Sequence, residues 1–336
     1  MAGSVPLIDP FGRRVRDLRV SITDRCNFRC TYCMPAEGMT WLPRSEVLTF
    51  EEITRLARIC VERFGFDGIR LTGGEPTVRA HLPTLVAMLA ELRVPDTGAP
   101  VDLAMTTNGA TLDTLAAELR LAGLRRINIS CDSLRSDRFA RLTRRDQLGR
   151  VLEGIESARQ AGFDPVKVNV VMIRGINDDE AVDFATFARE RALQPRFIEF
   201  MPLDGEGGWT MEQVVPADET LAAIAAVYPL EPLDHGPEPA RRYRYLDGRG
   251  ELGVIPSVTR PFCGDCDRIR ITAEGQLRTC LFATDEHDLR APLREGADDD
   301  RLAARIADGV GTKWAGHRIG KIDFIRPSRS MSQIGG

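Results

Sequence analysis

The chain has 336 residues, of which 43% are hydrophobic and 28% charged, a composition typical of folded globular proteins rather than disordered ones. Its 45 basic and 49 acidic residues nearly balance, which argues against broad contact with nucleic acid or a membrane surface. No apolar run reaches the ~20 residues that cross a bilayer, and the N-terminus lacks the pattern of a signal peptide. We therefore expect a cytoplasmic enzyme in which any polyanion meets a local group of basic side chains.

Short strands and amphipathic helices alternate over the first two hundred residues. Runs rich in Ile, Val and Leu predict six strands, at Leu18–Ile22, Gly68–Leu71, Val101–Thr106, Arg126–Ser130, Val166–Met172 and Arg196–Phe200. Apolar residues at helical spacing predict five helices, at Glu51–Phe64, Leu82–Leu92, Thr111–Leu121, Leu148–Ala161 and Glu180–Ala192. This alternation predicts an α/β fold with a parallel sheet, most simply a partial (β/α)6 TIM-type barrel over residues 1–203. We expect residues 204–336 to form a C-terminal extension.

The chain has eight cysteines, and six of them fall into two groups. Thiols stay reduced in the cytosol, so spaced groups indicate metal binding or catalysis rather than disulfides. The first group is Cys26, Cys30 and Cys33, and the second is Cys263, Cys266 and Cys280. Cys60 and Cys131 stand among apolar neighbours, and we expect both to be buried thiols.

The first group has the spacing C-x3-C-x2-C and follows the first predicted strand, where a parallel barrel places its active-site loops. Three thiolates on one loop suit a [4Fe–4S] cluster and leave one iron without a protein ligand. The alternative is a structural zinc site, but such sites usually combine two C-x2-C pairs into four ligands. The absence of a nearby fourth ligand favours the cluster.

The second group has the spacing C-x2-C-x13-C. This spacing alone fits a zinc site, with His287 or an outside group as fourth ligand, as well as it fits a second iron–sulfur cluster. Arg268, Ile269 and Arg270 follow Cys266 almost directly. These basic neighbours favour a cluster beside an anionic substrate, carried by the C-terminal extension.

Further basic residues lie within predicted strands, among them Arg19, Arg70, Lys167 and Arg196. A single strand arginine usually faces solvent, but alternate side chains of barrel strands point inward. Inward charges are costly without partners. Guanidinium groups bind phosphate oxygens in pairs, so a triphosphate inside the barrel would satisfy them.

The cysteine loop resembles that of the radical S-adenosylmethionine (SAM) enzymes, and Gly73-Gly74-Glu75-Pro76 resembles their GGEP segment. In that family, whose fold is a partial (β/α) barrel, the open iron binds SAM and one electron cleaves it to methionine and a 5′-deoxyadenosyl radical. Further segments resemble one branch, which cyclises GTP in the first step of molybdenum-cofactor biosynthesis. They are LRVSITDRCNFRCTYCMP, GIRLTGGEPTVR, MTTNG, INISCDSL, VKVNVVMIRGIND, RFIEFMPL, FCGDCDRIRIT and LRTCLF.

The resemblance implies a role for each matching position. Cys26, Cys30 and Cys33 would hold the SAM cluster, and Cys263, Cys266 and Cys280 a second [4Fe–4S] cluster that meets guanine. SAM contacts are implied at Tyr32, Gly74, Ser130 and Met201. GTP contacts are implied at Arg19, Arg70, Thr106, Lys167, Arg268, Ile269 and Arg270, with Arg196 as a further phosphate contact. The terminal Gly335 and Gly336 are implied to reach into the site, although a chain end is usually flexible.

The implied reaction converts GTP to (8S)-3′,8-cyclo-7,8-dihydroguanosine 5′-triphosphate. It requires a one-electron donor, and the product would pass to the cyclic pyranopterin monophosphate synthase. The helix faces leave room for a homodimer, and we expect no nucleic-acid or membrane partner. One alternative is a radical SAM enzyme that modifies a peptide and carries an auxiliary cluster, although such modules typically have more than three cysteines. The other is a non-enzymatic binding protein with two zinc sites.

Overall fold

The computed structural model describes residues 4–204, 207–234, 236 and 238–335. Its described strands are β1 Leu7–Ile8, β2 Arg14–Val15, β3 Asp17–Ser21, β4 Gly68–Thr72, β5 Asp102–Thr107, β6 Arg126–Ser130, β7 Lys167–Met172, β8 Gln194–Glu199, β9 Leu230–Pro232, β10 Arg241–Tyr245, β11 Glu251–Ile255, β12 Arg268–Ile271, β13 Gln276–Arg278 and β14 His287–Asp288. Its described α-helices are α1 Phe50–Phe64, α2 Leu82–Ala90, α3 Leu112–Leu121, α4 Ser136–Thr143, α5 Leu148–Gln160, α6 Ala181–Arg191, α7 Ala217–Ala225, α8 Arg290–Arg294, α9 Asp299–Val310 and α10 Met331–Ile334.

The six predicted strands correspond to β3 to β8, which lie side by side in chain order and pair in parallel. At least one helix follows each of them, so the predicted (β/α)6 arrangement is confirmed. The short helix α4 was not predicted and precedes α5 in the connection between β6 and β7.

The C-terminal extension lengthens this sheet at both edges. Strand β12 pairs in parallel with β3, and β11 pairs in parallel with β8. Antiparallel strands follow on each side, β13 and β14 beyond β12 and β10 and β9 beyond β11, so that β14 and β9 are the edge strands. The described strands therefore form an open sheet of twelve strands, eight of them parallel, rather than a closed barrel.

The strands alternate between an apolar and a polar face. On β4, for example, Ile69 and Leu71 belong to the main hydrophobic core, which also contains residues of α1, α2 and α3. Arg70, between them, lines a cavity on the other face. Because successive side chains of a strand point to opposite faces, the helices cover the apolar face and the polar face is left to surround the cavity.

Candidate active site

One cavity of about 890 Å3 lies on the polar face of the sheet, a size typical of small-molecule sites. Side chains from β3, β4, β5, β6, β7, β8 and β12 line it. All six cysteines of the two groups also line it: Cys26, Cys30, Cys33, Cys263, Cys266 and Cys280. The sheet therefore brings together two cysteine groups that lie more than two hundred residues apart in sequence.

Three arginines stand next to one another across adjacent strands of the cavity wall. Arg270 on β12 is in register with Arg19 on β3, and Arg19 is in register with Arg70 on β4. Like charges at directly opposed positions destabilise a sheet. This row of arginines has the form of a site for a polyanion.

The charges of this wall are poorly compensated within the protein. Nε of Arg19, of Arg70 and of Arg268 is buried without a hydrogen-bond partner, and Arg19 lies 3.9 Å from the carboxylate of Asp17. Burial lowers the pKa of Arg19 to about 9 and that of Arg70 to about 10, and neighbouring arginines contribute to the shift of Arg19. A bound anion would satisfy these donors and offset the cost of burying them.

Two more cations, Lys167 and Arg196, lie on β7 and β8. Both are buried, and Arg196 lies 3.5 Å from the carboxylate of Glu238. Burial, together with Arg196 and Arg126, lowers the pKa of Lys167 to about 7. Arg196 lines the cavity, whereas Lys167 is not among the lining residues. It lies two positions before the lining residue Asn169, on the same face of β7.

The first cysteine group lies in the loop after β3. Main-chain hydrogen bonds from Arg29 to Thr143 and from Thr31 to Leu142 hold this loop against the end of α4. Burial raises the pKa of Cys26 to about 11 and that of Cys33 to about 12, and raises the pKa of Cys30 as well. Thiols of this kind deprotonate when they bind a metal.

The Gly-Gly-Glu-Pro turn after β4 packs directly on this loop. Gly74 donates its N–H to the carbonyl of Thr23, and a Cβ on Gly74 would lie 2.3 Å from the main-chain oxygen of Arg25. The carboxylate of Glu75 accepts hydrogen bonds from Thr77, Thr107 and Asn108. Only glycine allows the close approach at position 74, so the turn and the cysteine loop form one unit.

The remaining residues implied for SAM and GTP binding are placed as follows. Tyr32, Ser130, Met201 and Thr106 line the cavity. The hydroxyl of Tyr32 donates to the buried carboxylate of Asp132 at 2.5 Å. Ile269 does not bring its side chain to the cavity, because it is fully buried in the hydrophobic core on the other face of β12. Any contact that it makes with a ligand is therefore limited to its main chain.

The second cysteine group lies at one end of the β12–β13 hairpin. Cys263 and Cys266 precede β12, and Cys280 follows β13. Burial acts to raise the pKa of Cys266, but the nearby cations Arg268 and Lys313, together with a main-chain hydrogen bond from Arg268, lower that pKa overall. His287, the alternative zinc ligand, instead shares a 3.1 Å hydrogen bond with Thr312 and does not line the cavity.

Both groups offer three thiols to one cavity, a donor set that fits an iron–sulfur cluster. Within the described residues, no three His, Cys, Asp or Glu side chains are close enough to bind one metal ion. The ligands of a cluster bind separate iron atoms and do not need that convergence. Cys60 and Cys131 are buried thiols of the main hydrophobic core, as predicted.

The described part of the C-terminal tail reaches the cavity wall. Ile334 is buried in a second hydrophobic cluster with Leu203, Val258 and Phe282. The carbonyl of Gly335 accepts a hydrogen bond from Arg270. Gly336 lies outside the described residues.

The cavity also contains polar residues that were not predicted from the sequence, among them Asn128 on β6 and Asn169 on β7. Each lies two positions from a predicted residue, Ser130 and Lys167, and therefore on the same strand face. The alternation that identified Arg19 and Arg70 would also have identified these asparagines.

The chain matches two family models. The model of the radical SAM superfamily matches residues 20–188, and that of molybdenum cofactor synthesis C matches residues 193–319. The structure is similar to the crystal structure of Streptococcus suis SuiB bound to S-adenosylmethionine, with a TM-score of 0.57 at 15% identity, over 92% of this chain and 68% of that chain. By fold and by family model the protein is a radical SAM enzyme, which confirms the predicted fold class.

Curated relatives match nearly the full chain. The GTP 3′,8-cyclase of Mycobacterium sp. (strain KMS) is 48% identical over 98% of this chain and 94% of that protein. The GTP 3′,8-cyclase of Streptomyces coelicolor is 47% identical over 99% of this chain and 97% of that protein. The chain belongs to the GTP 3′,8-cyclase family.

Proposed function

We propose that this protein uses SAM to convert GTP to (8S)-3′,8-cyclo-7,8-dihydroguanosine 5′-triphosphate, the first step of molybdenum-cofactor biosynthesis. The observation that carries the proposal is one cavity lined by two three-cysteine groups and by the in-register row Arg270, Arg19 and Arg70. The relatives that match this chain over nearly their full length are named for this reaction. Their names favour it over the modification of a peptide.

The cysteines of residues 1–203 would hold the SAM cluster, and those of residues 204–336 a second [4Fe–4S] cluster. When bound, the first cluster supplies the electron that cleaves SAM and so starts hydrogen abstraction from C3′ of GTP. The cavity residues Tyr32, Gly74, Ser130 and Met201 would hold SAM beside the first group.

The basic wall would bind the triphosphate. The unpartnered guanidinium donors of Arg19, Arg70 and Arg268 would bind phosphate oxygens. Arg270, Lys167 and Arg196 would extend this charge on both sides, and Thr106 and the main chain of Ile269 would complete the contacts. Gly335 and Gly336 would reach into the site from the tail. These residues orient GTP and exclude water, which accounts for much of the protein's share of catalysis.

The proposed reaction also requires partners. A one-electron donor would reduce the first cluster, and the product would pass to the cyclic pyranopterin monophosphate synthase. We place the protein in the cytoplasm, since a reducing compartment keeps its six clustered thiols available. We also propose that it forms a homodimer. No helix in the described part of the chain is long and apolar enough to cross a bilayer.

Triple substitutions of each cysteine group test this assignment. After anaerobic reconstitution, replacing Cys26, Cys30 and Cys33 by alanine should remove about half of the iron and all SAM cleavage. Replacing Cys263, Cys266 and Cys280 should also remove about half of the iron, but SAM cleavage should persist without cyclised product. Full cyclisation by the second variant would contradict the proposed role of the second cluster. Zinc instead of iron bound by Cys263, Cys266 and Cys280 would show that this site does not hold a cluster.

A further inference from the structure

Lys313 follows α9, and its side chain contacts the second cysteine group. Its side chain is buried, and Nζ donates to the main-chain oxygens of Arg268 and Thr279, each at 2.7 Å. Nζ also lies 3.7 Å from Sγ of Cys266. An ammonium group has three protons, and these three acceptors account for all of them. Lys313 thus joins the segment that carries Cys266 to the segment that ends in Cys280.

The charge of Lys313 has no carboxylate partner among the ion pairs of the described residues. The acceptors of its ammonium group are the two main-chain oxygens and Sγ of Cys266. A buried cation without an anion is costly. The thiolate ligands of a cluster would supply that anion.

The two cysteine groups have different charged neighbours. In the first group, Tyr32 beside Cys33 donates a hydrogen bond to the carboxylate of Asp132, and Glu75 donates its N–H to the carbonyl of Arg25 beside Cys26. In the second group, the nearest charges include the cations Arg268 and Lys313. Positive charge stabilises the reduced form of an iron–sulfur cluster, which carries the extra electron.

Lysine stands at three positions of this arginine-rich chain: 167, 313 and 321. The ammonium group is compact and can donate to three converging acceptors, whereas the guanidinium group is a planar fork. The contacts of Lys313 require the compact cation. Lys321 is exposed on the same C-terminal segment and provides a matched control.

We propose that Lys313 is a positioning residue of the second cysteine group, which fixes the spacing of its two cysteine-bearing segments and raises the reduction potential of the cluster bound there. This inference rests on the second cluster of the proposed function.

The test uses the full chain with Cys26, Cys30 and Cys33 replaced by alanine, so that the second group alone binds a cluster. Reduction of the cluster is followed by electron paramagnetic resonance, and iron release by exposure to a chelator. K313M should shift the reduction equilibrium about tenfold toward the oxidised form, equivalent to about 59 mV for one electron, and should release iron several-fold faster. K313R should keep the potential and still release iron faster, whereas K321M should match the unsubstituted background.

Several results would overturn the proposal. The proposal is contradicted if K313M leaves both the reduction potential and the rate of iron release unchanged. If K313M does not fold, an unchanged rate of iron release in K313R contradicts it. A background chain that binds zinc instead of iron would refute the second cluster and the effect on its potential. In that case zinc release still tests the positioning role, and equal release from K313M and K321M would refute that role too.

Discussion

Arg270 on β12 donates a hydrogen bond from its guanidinium group to the main-chain oxygen of Gly335. The tail that carries Gly335 is fixed upstream by ion pairs of Arg329 with Glu274 and Glu286. Gly335 adopts a φ of +84°, and a Cβ there would lie 2.5 Å from Oγ1 of Thr72. Gly335 therefore fits against the wall that carries the row of arginines, and only glycine fits at this position.

Replacing Gly335 by alanine should lower the rate of GTP cyclisation at least tenfold, about 1.4 kcal/mol, because the added methyl group displaces the tail from Arg270. Gly296 is the matched control, since it has the same φ of +84° but a Cβ there would meet no heavy atom within 4 Å. G296A should lose about 1 kcal/mol of unfolding free energy and keep its activity. Equal activities of the two variants in a product assay would refute the role of the tail.

Replacing Arg70 by methionine should raise KM for GTP about tenfold to a hundredfold, since a charge-assisted hydrogen bond is worth about 1.5–3 kcal/mol. Without GTP, the same variant should melt at the same temperature as the unsubstituted protein or higher, because a buried cation with an unpartnered Nε is lost. The exposed Arg159, which pairs with Glu156 on α5, provides the control R159M. An unchanged KM in R70M would show that the arginine row does not bind the substrate.

Lys167 should make GTP binding depend on pH. Its pKa is lowered to about 7 by burial and by Arg196 and Arg126, so in the free protein it is charged below about pH 7 and neutral above. A triphosphate favours the charged form, so binding takes up a proton and affinity falls as pH rises, by at most about tenfold per pH unit.

Equilibrium binding of GTP between about pH 7.5 and 9 measures this effect, because the charge of the triphosphate is then nearly constant. K167R should remove most of this pH dependence, since the arginine of this variant would stay charged through most of this range, and only a shallow fall near pH 9 should remain from Arg19, whose pKa is about 9. A slope that persists unchanged in K167R would assign the pH dependence to another group.

Much of this site could be predicted from the sequence because its signals are local. The spacing of Cys26, Cys30 and Cys33 and the inward positions of Arg19 and Arg70 each lie within one loop or one strand. Other features depend on how distant segments meet. Strand β12 pairs directly with β3 although strands β4 to β11 lie between them in sequence, and Lys313 reaches Cys266 from 47 positions away. No local periodicity or spacing encodes such contacts, since they depend on how the C-terminal extension packs on the first strands.

Replacing Gly74 by alanine should remove the first cluster. The added Cβ would lie 2.3 Å from the main-chain oxygen of Arg25, and a main-chain atom of the cysteine loop cannot move aside without distorting that loop. We expect about half of the iron to be lost after reconstitution, together with SAM cleavage. Gly149 in α5 has open space around it, so G149A should keep both and gain about 0.5–1 kcal/mol of stability. Normal iron content in G74A would contradict the close packing of turn and loop.

The most direct test of the proposed function is an anaerobic turnover measurement. The protein is reconstituted with iron and sulfide and reduced with dithionite in the presence of SAM, and 5′-deoxyadenosine is quantified with GTP, with ATP or without a nucleotide. We predict that 5′-deoxyadenosine rises with GTP alone and is accompanied by a cyclised product of the mass of GTP. SAM cleavage that is the same in all three reactions, with no cyclised product, would contradict the assignment of GTP as the substrate.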